Sequence, residues 1–95
     1  MSALLSVTIK VKNPEKFKEY ISQVPATMAP HGGEKIGRGK LAKTLVGDVA
    51  HHMEALFQFP STDALDQWYN SSEYQALAPL RDESAEMTLA VLESF

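Results

Sequence analysis

Leu5, Val7, Ile9 and Val11 alternate with Leu4, Ser6, Thr8 and Lys10, which predicts an opening strand with one apolar face and one mixed face. Asn13 then offers an N-cap, and Pro14 suits the first helical position, where a missing amide removes no bond. Phe17, Tyr20, Ile21, Val24 and Met28 recur at helical spacing as the buried stripe of that helix. Pro25 crowds the carbonyl of Ile21, so the helix is expected to kink or to end early. Pro30 and Gly32 close it, and His31-Gly32-Gly33 makes the turn into the next element.

A second strand is expected from about Glu34 to Gly47, with Gly37 and Gly39 flanking Arg38. Glycines inside a strand pattern mark a bulge or a close backbone approach, and a bulge here re-aims Arg38. After the reversal at Gly47-Asp48 comes a strand from about His51, with Met53, Ala55, Phe57 and Phe59 on one face and His52, Glu54, Leu56 and Gln58 on the other. Pro60 cannot donate to a ladder, so pairing stops there, and Ser61 is placed to cap a helix carrying Asp63, Leu65, Trp68 and Tyr69. A further short helix begins at Ser71 or Ser72 and brings Tyr74, Leu77, Ala78 and Arg81 onto one face unless Pro79 breaks the register. The polar run Asp82-Glu83-Ser84 leads to a last strand, Met87 to about Glu93.

The order β-α-β-β-α-β predicts an α+β chain of the ferredoxin-like kind, an antiparallel sheet with both helices on one face. The other face then carries Ser6, Thr8, Glu54, Leu56, Gln58, Thr88, Ala90 and Leu92, too apolar for a plain wet surface and too polar for a dry core. A second copy's sheet packed face to face covers it, so a homodimer through this sheet face is expected.

Composition narrows the function more than the fold. At 95 residues the chain is read as one domain spanning 1–95. Such a chain buries only about 60 to 65 per cent of its unfolded surface, which also favours dimerisation. A net charge of −3 and a pI near 5.5 speak against nucleic acid or a membrane surface as partner. Cysteine is absent, which removes disulfides, thiolate nucleophiles, iron–sulfur ligation and cysteine zinc sites. The opening segment Met1 to Leu5 lacks a basic region and a long apolar stretch, so a cytoplasmic location is expected.

Several side chains carry usable chemistry. His31 sits in a glycine turn and suits proton transfer near neutrality, or else is held by the last carbonyls of the preceding helix. Arg38 offers a fixed fork to a ligand carboxylate, or pairs with Asp48, Glu54 or an acid of a partner subunit. Lys35, Lys40 and Lys43 read as solubilising residues on an edge strand. Trp68, Tyr69 and Tyr74 fill a core or interface, and the tyrosine hydroxyls need partners where buried. Arg81 clamps an anion beside Tyr74, or pairs with Asp82, Glu83 or Glu86. His51 and His52 are adjacent, so on a strand they point to opposite faces and cannot chelate one metal ion. Glu54, desolvated on the mixed face, is a further possible base. No triad, P-loop or dinucleotide fingerprint is legible, and no cofactor is expected.

His31-Gly32-Gly33, Arg38-Gly39, Phe59-Pro60-Ser61, the run Trp68 to Tyr74, and Arg81 together resemble the domain-of-unknown-function family numbered 1330, within the dimeric α+β barrel superfamily. The resemblance spans nearly the whole chain. It implies a ferredoxin-like protomer whose sheet closes a barrel against its partner's sheet. Relatives in the superfamily include cofactor-independent monooxygenases, muconolactone-type isomerases and haem-dependent chlorite-degrading enzymes, while this family has no assigned reaction. Two positions depart from its usual pattern: Val46 stands where Glu is frequent, and Ser72 where Pro is frequent.

Two functional classes follow. In the first, a homodimer binds a small anionic or oxygenated organic molecule in a pocket lined by His31, Arg38, Tyr69, Tyr74 and Arg81. If that dimer is an enzyme, the chemistry is cofactor-independent proton transfer or oxygenation, with His31 as acid or base and an arginine holding developing charge. In the second, a non-catalytic dimeric module binds or senses a ligand, and these residues only hold the subunits together.

Overall fold

The computed structural model describes residues 2–94, so Met1 of the opening segment and Phe95 lie outside the described residues. The elements are β1 (Ala3–Val11), α1 (Pro14–Met28), a 3-10 turn (Ala29–His31), β2 (Glu34–Lys40), β3 (Met53–Phe59), α2 (Thr62–Tyr69), α3 (Ser72–Gln75), α4 (Ala78–Ser84) and β4 (Ala85–Glu93). The strands form one antiparallel sheet in the order β2-β3-β1-β4. The helices pack on one of its faces, the ferredoxin-like arrangement that the alternation predicts.

The register shows why. Leu5 faces Phe57 and Val91, and Val7 faces Ala55 and Leu89, so the apolar positions of three strands lie on the helix side. Ser6 faces Leu56 and Ala90, and Thr8 faces Glu54 and Thr88, which gathers the mixed set on the open side. The core between sheet and helices centres on Trp68, Tyr74, Phe59, Leu5 and Leu65, all almost wholly buried.

The caps form as the sequence predicts. Asn13 accepts from the Lys16 amide at 3.1 Å, Ser61 from the Ala64 amide at 3.1 Å, and Ser71 from the Tyr74 amide at 3.2 Å. Three expectations change. Helix α1 does not end early: it runs through Pro25 to Met28. Loss of the Pro25 amide weakens the ladder by about 3 kcal/mol or more. Against that loss, Val24 and Met28 are buried on either side of the proline, and Trp68 Nε1 donates to Thr27 Oγ1 at 3.0 Å. Strand β2 stops at Lys40 rather than Gly47, and β3 begins at Met53 rather than His51. The β2–β3 ladder ends at Lys40 opposite Met53; past it the Leu41 amide donates to the His52 carbonyl at 2.8 Å and the His52 amide to the Ile9 carbonyl at 3.1 Å, and the segment between them leaves the sheet. The run Asp82-Glu83-Ser84 is the end of α4 rather than a connection, because Pro79, near the start of α4, begins a new helix where its missing amide removes nothing.

Candidate functional site

A cleft of about 110 Å³ lies between α1 and the sheet, and its walls are almost entirely apolar: Val24 and Met28 of α1 face Val7, Ala55 and Phe57 of the sheet. Its cations are Lys35 and Arg38 of β2. A bulge puts both there. Lys35 pairs with Phe57 and Arg38 with Ala55, two positions apart on β3, whereas Lys35 and Arg38 are three apart in sequence. The extra residue is Ile36, between Lys35 and Gly37, and it turns Arg38 from the open face to the helix face. The re-aiming expected from the glycines is present, with the shift falling at Ile36.

Arg38 is exposed and has no ion pair among the described residues. The expected pairing with Glu54 does not form. Glu54 lies opposite Gly39 on β3, and its carboxylate stands 3.4 Å from His51 Nε2. Its side chain is 61% exposed, so it is not the desolvated base that burial on the mixed face would make. His52 turns the other way, its Nε2 accepting from the Val11 amide at 3.2 Å. Among the described residues no group of three or more His, Cys, Asp or Glu is placed to hold a metal ion.

At the inner wall of the cleft, Tyr20 begins a buried polar chain. Its hydroxyl lies 2.8 Å from that of Tyr74, to which Arg81 Nη1 donates at 3.2 Å, while Arg81 Nε donates to Asp82 Oδ1 at 3.0 Å. The guanidinium carbon lies 5.9 Å from the centre of the Tyr74 ring. Tyr74 and Arg81 therefore meet as the helical spacing predicts, although they stand on two short helices. Burial, reinforced by the neighbouring Tyr74, raises the Tyr20 pKa far above the ordinary phenol value. Burial alone lowers the Arg81 pKa, but its bonds to Tyr74 and Asp82 more than reverse this and hold the charge in place. The Tyr20 hydroxyl is a partner that the sequence did not supply, and its one signal there is a phenol within an otherwise apolar helical stripe.

The five residues expected in one pocket are thus distributed. Arg38 lines the cleft, while Tyr69 and Arg81 line a second hollow of about 360 Å³ over β4. The two hollows share Leu5, Trp68, Met87 and Leu89 as a common wall. Tyr74 is wholly buried and joins them through Tyr20 on one side and Arg81 on the other. Its ring centre lies 4.2 Å from that of Trp68 and 5.7 Å from that of Tyr69. His31 ends the 3-10 turn, half-buried and outside the lining of both hollows. On the neighbouring α3, the Glu73 carboxyl pKa is lowered first by a backbone amide and then by the Ser72 hydroxyl.

The family model described as Domain of unknown function (DUF1330) matches residues 2–95. The chain belongs to that family. No curated protein matches its sequence. Among solved structures, a protein of unknown function from Rhodopseudomonas palustris superposes with a TM-score of 0.85 at 14% identity, covering 99% of this chain and 82% of that one. A dimeric ferredoxin-like protein of unknown function from Jannaschia sp. CCS1 gives 0.77 at 14% identity, covering 99% and 100%. SnoaB, a cofactor-independent oxygenase from Streptomyces nogalater, gives 0.73 at 12% identity, covering 99% and 93%. At such identities the likeness establishes the fold of this DUF1330 chain and leaves its chemistry to its own residues.

Proposed function

We propose that this DUF1330 protein is a homodimer, and that each protomer binds a small organic anion in the cleft beneath α1, its apolar body inside and its carboxylate at the mouth. The observation that carries the reading is the bulge at Ile36, which brings two cations to a mostly apolar cavity whose one carboxylate, Glu54, stands beside His51 rather than beside either cation. A guanidinium without an internal acid partner suits a carboxylate that arrives with the ligand. An engineered apolar cavity of about 150 Å³ holds benzene. A cleft of about 110 Å³ suits one ring partly inserted, or a short branched chain. The homodimer is supported by dimeric relatives of the same fold and by the open sheet face, where Leu92 is 47% exposed. Isothermal titration with benzoate is the test. The wild type should bind it and Arg38→Ala should bind about tenfold more weakly, one lost charge-assisted hydrogen bond. Equal affinities would remove Arg38 from the site.

A second, catalytic reading draws on Tyr20. A phenol that stays protonated, backed through Tyr74 by the Arg81 charge, is suited to stabilise a developing enolate or phenolate oxygen in the cleft while a solvent base takes the substrate proton. The oxygenase activity of SnoaB, carried over by fold alone, is in keeping with such chemistry. Deuterium exchange next to the carbonyl of a bound aryl ketone, lost in Tyr20→Phe, is the expected sign. No exchange above the solvent rate in the wild type leaves the binding module.

A further inference from the structure

More cations gather at this mouth than one carboxylate needs. Lys35 and Arg38 line the cleft, and Arg38, Lys18 and Lys40 line a groove of about 340 Å³ running outward from it. Cleft and groove share Phe17, Ile21, Arg38 and Met53, so one molecule reaches both. None of the four cations has an ion pair among the described residues, where the pairs are Lys16–Glu83, Arg81–Asp82 and His51–Glu54. The chain as a whole carries 12 acids against nine Lys and Arg, so an unpaired cationic collar runs against its own balance. Glu54 also lines the cleft, but its carboxylate stands 3.4 Å from His51 Nε2 and is not paired with any of the four cations.

Resting on the reading that the cleft binds an organic anion, we infer that the ligand carries a dianionic head, a phosphate monoester or a pair of neighbouring carboxylates, on a body of one ring or a short chain. The body enters the apolar cleft. The head stays in the groove, where Arg38 gives a fork and Lys18, Lys35 and Lys40 supply point charges in partial contact with water. The alternative is that Lys35 and Lys40 only guard the exposed edge strand β2 from pairing with other chains, and Lys18 only keeps the surface of α1 in water. An edge guard has no preference among ligand heads.

Calorimetric titration of the full chain with benzoate, phenyl phosphate and phenylmalonate separates the two. Phenyl phosphate or phenylmalonate should bind at least about tenfold more tightly than benzoate at low salt, with the advantage shrinking as salt rises. Whichever of the two binds more tightly identifies the head. In the doubly substituted Lys18→Ala, Lys40→Ala protein the advantage should disappear, the better dianion falling to the affinity of benzoate. Both residues are exposed, so the variant should fold. Equal affinity of all three ligands for the wild type, with dependence on Arg38 kept, overturns the inference and leaves the cleft reading standing. Failure of all three to bind sinks the cleft reading itself. Co-sedimentation with phosphatidic acid vesicles that the double substitution abolishes would make the collar a lipid contact and also overturn the inference, since acyl chains do not fit a cleft of about 110 Å³.

Discussion

A phenol held between a second phenol and a guanidinium has few states open to it. Tyr74 is wholly buried, and its oxygen takes the Arg81 Nη1–H bond while facing the Tyr20 hydroxyl. Tyr20 keeps its proton to higher pH when folded than when unfolded, because burial and the adjacent Tyr74 oppose its charge. The sign follows directly. Below the ordinary tyrosine value of 10.0 both states hold the proton, and above it the unfolded chain releases the proton first. Stability from this group is therefore complete at neutral pH and falls as pH climbs beyond 10.0, by up to about 1.4 kcal/mol per pH unit. Urea unfolding of wild type against Tyr20→Phe should show the variant about 1 kcal/mol less stable at pH 7. Its alkaline decline should also be shallower. An identical alkaline slope would mean that Tyr20 does not carry this dependence.

The caps and both faces of the sheet were legible in the chain because each depends on residues within a few positions of one another. Asn13, Ser61 and Ser71 bond amides three residues on. The bulge was legible only in part. Two glycines announced an irregular strand, but the inserted residue, Ile36, was settled by pairing with β3. This sets a test on the element as a whole. Inserting one alanine between Gly37 and Arg38 shifts Arg38 to a position opposite Glu54 and turns it to the open face, so benzoate affinity should fall about tenfold, as for Arg38→Ala. Circular dichroism should report an intact sheet. Full affinity after the insertion would show that the pairing register of β2 does not aim Arg38. The over-long β2 expected from sequence has a related cause, since its ladder with β3 ends at Lys40 opposite Met53 and residues 41–50 have no strand to pair with.

For the molecule as a whole, the proposed homodimer is tested at the open face of the sheet. Leu56 is half-buried near the middle of that face, opposite Ser6, and Val46 on the protruding segment is 92% exposed. Light scattering should give about twice 10.5 kDa for the wild type. Leu56→Asp should give one protomer, because a carboxylate buried between two sheets loses its water without gaining a partner. A single protomer in the wild type at micromolar concentration would end the dimer proposal.

The alternation of side chains, the capping residues and the positions of Pro60 and Pro79 determined the fold from the sequence alone, because each acts through the backbone within a turn or a strand of itself. The tertiary structure decided the site. Arg38 was separated from Tyr69 and Arg81 by the wall of Leu5 and Trp68, and Tyr20 joined Tyr74 across 54 residues. Glu54 was drawn to His51 rather than Arg38. Such pairings depend on which elements come to lie side by side, and spacing along the chain carries no record of distance across the core.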